Sequence, residues 1–369
     1  MTPTPPQHGN EQRIAIVRLS HLGDVVHALP VFHALRAAHP KARIAWVVQR
    51  EFAGLLRGMT GLDEVILFER RGGLGAWLRL RRELRAFHAE LAVDCQGNWK
   101  SAIATRLTGA KRRVGMVRER WREGAAARLC NEFPGPGELG PHAVEPILQL
   151  AQWLAPGHDP RAPGGFHLGL SEAEFKAGAA ELAERFRDLP GEDPSAPGPR
   201  PVLLHLGCPD NPRSWPAAHF GQLARLLAKA GHPVLLLSGP AEASEGRQLA
   251  AELADERGIA HWPEQRDLRQ LASFFAAAAQ HGTAMVSADS GPMHLAWASG
   301  LDVVLIAGPQ DPRVTGPWVP SGPHRVLHAP DFPCMPCLKR KCEVAPGDRF
   351  APCMEAVTPH QVLDVIASE

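Results

Sequence analysis

Several features that define common protein classes are missing from this 369-residue sequence. It has no run of 18 apolar residues, so no segment is predicted to span a membrane. It has no Walker A sequence and no His-Glu-x-x-His motif, which disfavours P-loop phosphoryl transfer and zinc hydrolysis of that type. The formal net charge is only +1, so no overall field points to a nucleic-acid partner. With 44% hydrophobic and 21% charged residues, the composition is that of an ordinary globular protein.

The first twelve residues also lack the basic and apolar regions of a secretory signal peptide. We therefore expect residues 1–12 to form a disordered tail and the protein to stay in the cytoplasm. In that reducing compartment a general disulfide framework is disfavoured, although the chain has seven cysteines.

Basic residues cluster in two segments of the first half. Residues 70–85 hold six arginines, and residues 111–128 hold seven lysines or arginines against two glutamates. Such runs are most often solvated helix faces. The functional alternative, a surface that faces an anion, stays open.

Short apolar segments alternate with helical patterns along the whole chain. The length suggests two domains, at about 100–200 residues for each. Because most of the apolar segments are continuous, they are typical of strands covered on both faces of a parallel sheet. The pattern predicts an α/β protein with two doubly wound Rossmann-like domains side by side, whose sheets would face a central cleft. The predicted strands are residues 13–17, 43–48, 64–68, 91–94 and 112–115, then 202–206, 233–237, 258–262, 283–287 and 302–306, with helices such as 25–38 and 74–88 between them.

A segment rich in proline and glycine separates the two halves. Residues 190–201 contain five prolines and two glycines, which exclude a helix or a central strand. The final helix is predicted to begin with Thr358 as its N-cap and Pro359 at its first position. The predicted boundaries are a tail (1–12), an N-terminal domain (13–189), a linker (190–201), a C-terminal domain (202–357) with a cysteine-rich loop (334–353), and a C-terminal helix (358–369).

Polar residues follow several predicted strands, at the edge where open α/β sheets bind ligands. Asp24 follows the first strand in "SHLGD", where a carboxylate suits either a helix N-cap or a site in the cleft. Asp94 and Lys100 follow the fourth strand. They belong either to an ordinary loop between strand and helix or to a second part of the site. The strongest local signal is "SADSGPMH", in which a strand leads directly into a helix whose N-terminus suits a pyrophosphate.

Taken in order, these strand-end segments resemble glycosyltransferase family 9, the ADP-heptose:lipopolysaccharide heptosyltransferases. The resemblance extends over nearly the whole chain from about Arg13. It implies the GT-B fold and an inverting transfer from ADP-heptose, with no metal required for catalysis. The segments that carry it are "SHLGDVVHALP", "DCQGNWKSA", "SADSGPMHLAWASG" with "AGPQDP", and the ending "CMPCLKRKC…PCMEAVTPHQV".

The resemblance also implies roles for individual residues. Asp24 is the expected catalytic base. The expected acceptor is an anionic inner-core glycolipid, Kdo-bearing lipid A or its heptosylated form, which would bring the enzyme to the inner face of the inner membrane. The expected donor-binding residues are Arg213, Glu242, Asp289, Ser290, Gly291, His294, Gly308 and Pro309. The expected acceptor-binding residues are Arg18, Lys100, Arg118 and Arg120.

Other functions remain open at this point. A sugar-nucleotide epimerase or hydrolase of the GT-B fold would use the same nucleotide half, and a transferase could use another nucleotide sugar. A nucleotide-dependent binding protein is a further alternative. A dinucleotide dehydrogenase is disfavoured because neither first strand is followed by the glycine fingerprint.

Four of the cysteines lie close together near the C-terminus. Cys334, Cys337, Cys342 and Cys353 have the spacing C-x2-C-x4-C-x10-C. Four thiolates suit a tetrahedral zinc ion, and an iron–sulfur cluster is also compatible. Disulfides or free thiols are the alternatives, and in every case the role is expected to be structural.

Overall fold

The computed structural model describes residues 13–162, 164–187, 189, 199–207, 213–263, 267–318, 324–329, 332–337, 339, 341–346 and 350–368. The predicted tail (1–12) and most of the predicted linker (190–201) lie outside these residues. The chain divides into two compact units, Met1–Ser171 and Glu172–Glu369. Within the described ranges, no helix is both long enough and apolar enough to cross a membrane.

The first unit is built on a five-stranded parallel sheet in the order β3-β2-β1-β4-β5. Its five strands are those that the apolar pattern predicts. They are β1 (Arg13–Val17), β2 (Arg43–Gln49), β3 (Glu64–Phe68), β4 (Leu91–Asp94) and β5 (Arg112–Gly115). The helices of this unit are α1 (Leu22–His27), α2 (Leu29–Ala38), α3 (Arg50–Leu56), α4 (Gly73–Phe87), α5 (Trp99–Leu107) and α6 (Glu145–Leu154), with 3₁₀ turns at Arg118–Arg120 and Gly124–Leu129.

Helices α4 and α5 cover one face of this sheet together. Leu80, Leu84 and Phe87 of α4 and Ala104 of α5 belong to one buried cluster, which also contains alternate residues of β1 such as Val17. The two helices contact each other. Because α4 follows β3 and α5 follows β4, both helices begin at the carboxyl edge of the sheet.

The second unit has a six-stranded parallel sheet in the order β11-β10-β9-β6-β7-β8. Its strands are β6 (Val202–His205), β7 (Val234–Ser238), β8 (Ile259–Pro263), β9 (Ala284–Ala288), β10 (Asp302–Ala307) and β11 (His324–His328). Its helices are α7 (Glu172–Phe186), α8 (Ala217–Lys229), α9 (Ala243–Glu252), α10 (Leu268–Gln280), α11 (Gly291–Ala298), α12 (Pro312–Thr315), α13 (Pro352–Glu355) and α14 (Pro359–Ala367).

Both sheets have the Rossmann strand order, in which the direction of winding reverses beside the first strand. The reversal lies between β1 and β4 in the first unit and between β6 and β9 in the second. Ligands of doubly wound sheets bind outside the carboxyl ends of the strands at such a point. The topology therefore directs attention to the loops after these four strands.

Three elements differ from the sequence-based expectation. The predicted boundaries place residues 172–186 in the N-terminal domain (13–189), but these residues form α7 of the second unit. There Gly178 lies against the backbone of Ser273, and Glu174 pairs with Arg269 (Oε2–Nη2 3.0 Å). The predicted helix 25–38 consists of two helices, α1 and α2, that join at Ala28.

The third element is β11, a strand that no prediction included. It pairs only with β10 in the described sheet, and its five residues are half-buried or exposed. The predicted start of the C-terminal helix is confirmed, because the Thr358 hydroxyl accepts a hydrogen bond from the Gln361 amide (3.3 Å) and Pro359 is the first residue of α14.

Candidate active site

Asp24 lies in the first turn of α1, directly beyond the end of β1. Its Oδ2 accepts a hydrogen bond from the His21 amide (3.1 Å), so the carboxylate caps the helix. Its Oδ1 lies 2.7 Å from Nη2 of Arg18. The N-cap predicted for Asp24 is instead His21, and Asp24 is the third residue of α1. Its side chain stays 39% exposed, so the predicted ligand role stays a prediction.

The surroundings of Asp24 keep it ionised. Partial burial by itself raises the pKa of a carboxyl group. Against that effect, the Arg18 guanidinium, the His21 side chain and the nearby His27 hold the pKa of Asp24 well below its usual range. The group is therefore an anion with an accessible oxygen across the physiological pH range.

Arg18 connects the ends of two neighbouring strands. Its side chain is only 11% exposed, and besides the ion pair to Asp24 its Nη1 donates a hydrogen bond to the Cys95 carbonyl, just after β4. A second link joins the same loops, because the Leu19 amide donates to Oε1 of Gln96 (2.7 Å). The expected contact of Arg18 with the acceptor stays a prediction; in the structure its guanidinium holds Asp24 and the Cys95 carbonyl.

Asp94, the last residue of β4, fixes the loop that follows the strand through hydrogen bonds to its amides. It is fully buried, and its Oδ1 accepts hydrogen bonds from the amides of Gln96 (2.9 Å) and Gly97 (3.0 Å). Burial raises the pKa of Asp94 to about 6 in spite of these bonds. Gly97 has a φ of +72°, and a Cβ there would lie 2.9 Å from the Met116 side chain, so the turn requires glycine.

The other residues expected at the acceptor follow β4 and β5, at the same edge of the sheet as Asp24. Lys100 is exposed on the first turn of α5. Arg118 and Arg120 are exposed on the 3₁₀ turn after β5, with Arg118 3.8 Å above the centre of the Phe133 ring. The first unit thus presents the Asp24 carboxylate and several cations along one sheet edge.

In the second unit, the loop after β9 forms the centre of a polar cluster. Ser290 is the N-cap of α11, and its hydroxyl accepts a hydrogen bond from the Met293 amide (3.3 Å). Gly291 is the first residue of that helix. The predicted strand, cap and helix are therefore confirmed at this position, and the amides of the first turn point out of the helix N-terminus.

Asp289 is held by three side chains around this loop. Its oxygens lie 3.3 Å from Nε2 of His294, 2.9 Å from Nε2 of Gln310 and 3.7 Å from Nη1 of Arg213. Burial raises the pKa of the carboxyl group, but these partners together lower it below the usual value, with His294 contributing most of the lowering. Gln310 was missed by the sequence analysis, although it directly follows the predicted Gly-Pro turn at the end of β10.

Glu242 lies in the loop after β7, which is separated from β9 by β6 in the sheet. It precedes α9 and is buried, and burial raises its pKa. A Cβ on Gly239 would lie 2.8 Å from Oε2 of Glu242, so the carboxylate covers this glycine closely.

Gly308 and Pro309 pack against the C-terminal part of the chain. A Cβ on Gly308 would clash with Sδ of Met354, and the Pro309 carbonyl accepts a hydrogen bond from the Cys337 amide (2.9 Å). The turn therefore supports the cysteine-rich segment, and it is Gln310, one residue further on, that reaches the polar cluster.

The four C-terminal cysteines lie near one another. Burial and the proximity of Cys334, Cys337 and Cys342 raise the pKa of Cys353 to about 11. The described cysteines are all free thiols. Over the described ranges, no group of three or more His, Cys, Asp or Glu side chains is arranged to hold a metal ion.

Two Rossmann-type units, each with polar residues at the point where its sheet winding reverses, are the architecture of the GT-B class of glycosyltransferases. Solved structures share this fold. A glycosyltransferase family 9 protein from Veillonella parvula superposes with a TM-score of 0.75 at 18% identity, covering 99% of this chain and 98% of its own. The heptosyltransferase WaaC of Escherichia coli with ADP-2-deoxy-2-fluoro heptose gives 0.71 at 23% identity, covering 96% and 99%.

Sequence comparison assigns the family. The sequence profile of glycosyltransferase family 9 (heptosyltransferase) matches residues 77–346. Lipopolysaccharide heptosyltransferase 1 of Pseudomonas aeruginosa is 31% identical over 347 residues, covering 91% of this chain and 89% of the relative. The chain therefore belongs to glycosyltransferase family 9, and the predicted family, fold class and type of enzyme are confirmed.

Proposed function

We propose that the protein is an inverting transferase that moves a heptose from ADP-heptose to the inner core of lipopolysaccharide. The observation that carries this proposal is Asp24, an ionised and partly exposed carboxylate at the carboxyl edge of the first sheet. An alcohol attacks an anomeric carbon readily only when a base removes its proton during the attack. The acceptor would be a Kdo or heptose residue of that core.

Asp24 would accept the proton through a lone pair of its carboxylate that is not already used by a protein partner. Arg18 and the His21 amide each occupy one oxygen of Asp24 from the protein side. The acceptor hydroxyl gives its proton to the carboxylate while its oxygen forms a bond to the anomeric carbon. The bond from that carbon to the β-phosphate oxygen breaks on the opposite face, and ADP leaves with the electron pair.

The polar cluster of the second unit suits the donor. The diphosphate would lie at the N-terminus of α11, over Ser290 and Gly291, with Arg213 neutralising the charge that develops on the leaving group. Asp289, fixed by His294 and Gln310, would accept hydrogen bonds from sugar hydroxyls. Glu242 would accept them from the ribose.

The acceptor would be held by the cations of the first unit. Lys100, Arg118 and Arg120 are exposed at the same sheet edge as Asp24 and suit the carboxylates and phosphates of a Kdo-bearing glycolipid. Because such a glycolipid is anchored in a bilayer, the enzyme would work in the cytoplasm at the inner face of the inner membrane.

The cysteine segment would have a structural role. Four thiols on one segment have the donor chemistry of a tetrahedral zinc site, although the described residues are not arranged to hold a metal ion. The segment packs on Gly308 and Pro309, next to Gln310, so its stability would be transmitted to the donor cluster. A bound zinc ion would hold the loop and take no part in transfer.

The experiment that tests the proposed function compares two acceptors with one donor. Purified protein is incubated with ADP-heptose and either Kdo-lipid A or its heptosylated form, and the products are weighed by mass spectrometry. We expect the mass of one heptose to be added to the Kdo acceptor and the reaction to depend on Asp24. The Glu119→Gln variant, which alters an exposed carboxylate at the same sheet edge, serves as the matched control. Consumption of ADP-heptose that does not depend on an acceptor would support a hydrolase instead.

A further inference from the structure

The first unit exposes four large hydrophobic side chains on two helices. Leu74 and Leu78 of α4 are 77% and 56% exposed, and Trp99 and Ile103 of α5 are 46% and 37% exposed. Among the described residues, the other exposed large hydrophobic side chains are Val326 and Val344, both in the second unit. Exposed apolar groups confined to two neighbouring helices indicate a surface with a partner.

The positions of these residues place them in one area, here named the apolar patch. Each pair is spaced four residues apart in the first two turns of its helix, so its members share one helix face. In α4 that face is opposite the buried one formed by Leu80 and Leu84. Since α4 and α5 pack side by side on one sheet face and both begin at its carboxyl edge, the patch lies at the edge that carries Asp24.

The surroundings of the apolar patch are strongly basic. Arg70 and Arg71 precede α4, and the exposed surface of α4 carries Arg79, Arg81 and Arg82. Glu83 is the only acidic residue in that helix. An apolar strip bordered by arginines complements the surface of a bilayer that contains anionic lipids, where leucine side chains enter the headgroup boundary and guanidinium groups meet phosphates.

We propose that the apolar patch and its arginine border form the face by which the protein docks on an anionic phospholipid bilayer. A second copy of the chain is a poorer occupant, because two such faces would oppose clusters of like charge. The inference deepens the proposed function and rests on it for the identity of the acceptor. Docking here would bring membrane-anchored sugars to the sheet edge where Asp24 lies.

Co-sedimentation with vesicles tests the docking face directly. The probes are vesicles of phosphatidylethanolamine and phosphatidylglycerol (3:1) and vesicles of phosphatidylcholine alone. We expect the wild-type protein to bind the anionic vesicles preferentially, and the double variant Leu74→Ser/Leu78→Ser to lose about tenfold or more in partition coefficient because two insertable side chains are gone. The matched control is Val344→Ser, which removes an exposed apolar side chain (59% exposed) from the second unit and should bind like the wild type.

Three results would overturn the inference. The first is that wild type and double variant bind vesicles equally. The second is that the wild type binds neutral and anionic vesicles equally. The third is that the wild type is a dimer and the double variant a monomer, with no change in vesicle binding. Transfer to a delipidated, water-soluble Kdo acceptor separates this inference from the proposed function. The double variant should keep that activity and its thermal melting curve. If the wild type itself does not transfer heptose to the water-soluble acceptor, the proposed function is contradicted. The vesicle experiment still decides whether the apolar patch is the docking face.

Discussion

Replacing Arg18 by methionine isolates the interaction that holds the proposed base. Methionine keeps much of the length and apolar volume of the side chain while removing its charge. Two contacts are lost: the 2.7 Å ion pair to Oδ1 of Asp24 and the hydrogen bond to the Cys95 carbonyl. Only the first of these depends on the protonation of Asp24, so a pH series distinguishes them.

The size of the effect follows from the geometry and exposure of the pair. A hydrogen bond to a charged group contributes about 1.5–3 kcal/mol. Because 39% of the Asp24 side chain is exposed and solvent screens the charge, the lower end of that range applies. At about 1.4 kcal/mol for each pKa unit, the pKa of Asp24 should rise by about one unit in Arg18→Met.

The sign of the stability change follows from the same shift. Asp24 has a lowered pKa in the folded protein, so its ion pair stabilises the fold above the ordinary aspartate pKa of about 3.9 and loses its effect as the pH falls below that value. Arg18→Met should therefore be less stable than wild type at neutral pH, and the gap should narrow in acid. The lost bond to Cys95 contributes a part that does not vary with pH.

Two measurements check this reasoning. Carbon-13 NMR of the Asp24 carboxyl group gives its pKa without reference to activity, and the acid limb of kcat/KM gives the pKa that matters for transfer. Arg18→Lys should restore much of the wild-type profile. The control is Arg50→Met, which removes an exposed ion pair to Glu69 in the same unit and should leave both curves unchanged. If the carboxyl titrations of Arg18→Met and wild type coincide, Arg18 does not set the state of Asp24 and the reasoning is refuted.

Four further predictions concern the remaining parts of the account. Asp24→Asn should lower kcat by about 10²–10⁴, the usual contribution of a positioned base, with donor affinity nearly unchanged; near wild-type turnover would contradict the base role. Arg213→Ala should weaken ADP binding by about 1.5–3 kcal/mol in calorimetry, whereas Arg225→Ala, which removes an exposed cation paired with Glu256, should not; equal affinities would count against the donor site. If the four C-terminal cysteines bind zinc, elemental analysis of protein purified without chelator should show a stoichiometric zinc signal. Chelation should then lower the melting temperature without reducing activity. A protein without metal would show that the four cysteines are free thiols. Thr358→Ala should cost about 1 kcal/mol of unfolding free energy through loss of the α14 N-cap, and denaturant midpoints that match those of wild type would show that the cap contributes nothing.

The strands and the polar residues that follow them could be read from the sequence because both signals are local. Strands such as β1 and β9 are continuously apolar since both faces of each sheet are covered. The residues after them, Asp24 and Asp289, are placed by chain connectivity alone. β11 escaped prediction because an edge strand that is half-exposed carries no apolar run, and its sequence includes two histidines.

What the sequence could not predict depends on contacts between distant residues. The pairing of Arg18 with Asp24 and Cys95 was not foreseen, because the sequence does not show the partners of a cation at a strand end. Its partner across the sheet, Cys95, is 77 positions away. For the same reason Gln310 was overlooked, since only the fold brings it to Asp289, and the close packing of Gly308 on Met354 was not foreseen.

The central claim is that this family 9 enzyme uses the Asp24 carboxylate to transfer a heptose to an inner-core sugar. The most direct measurement follows product mass with ADP-heptose and Kdo-lipid A, for wild type and Asp24→Asn in parallel. The account predicts that the wild type adds one heptose and releases ADP, while Asp24→Asn binds ADP normally but forms product at least a hundredfold more slowly, as loss of a general base requires. Equal rates for the two proteins, or transfer of a different sugar in preference to heptose, would contradict it.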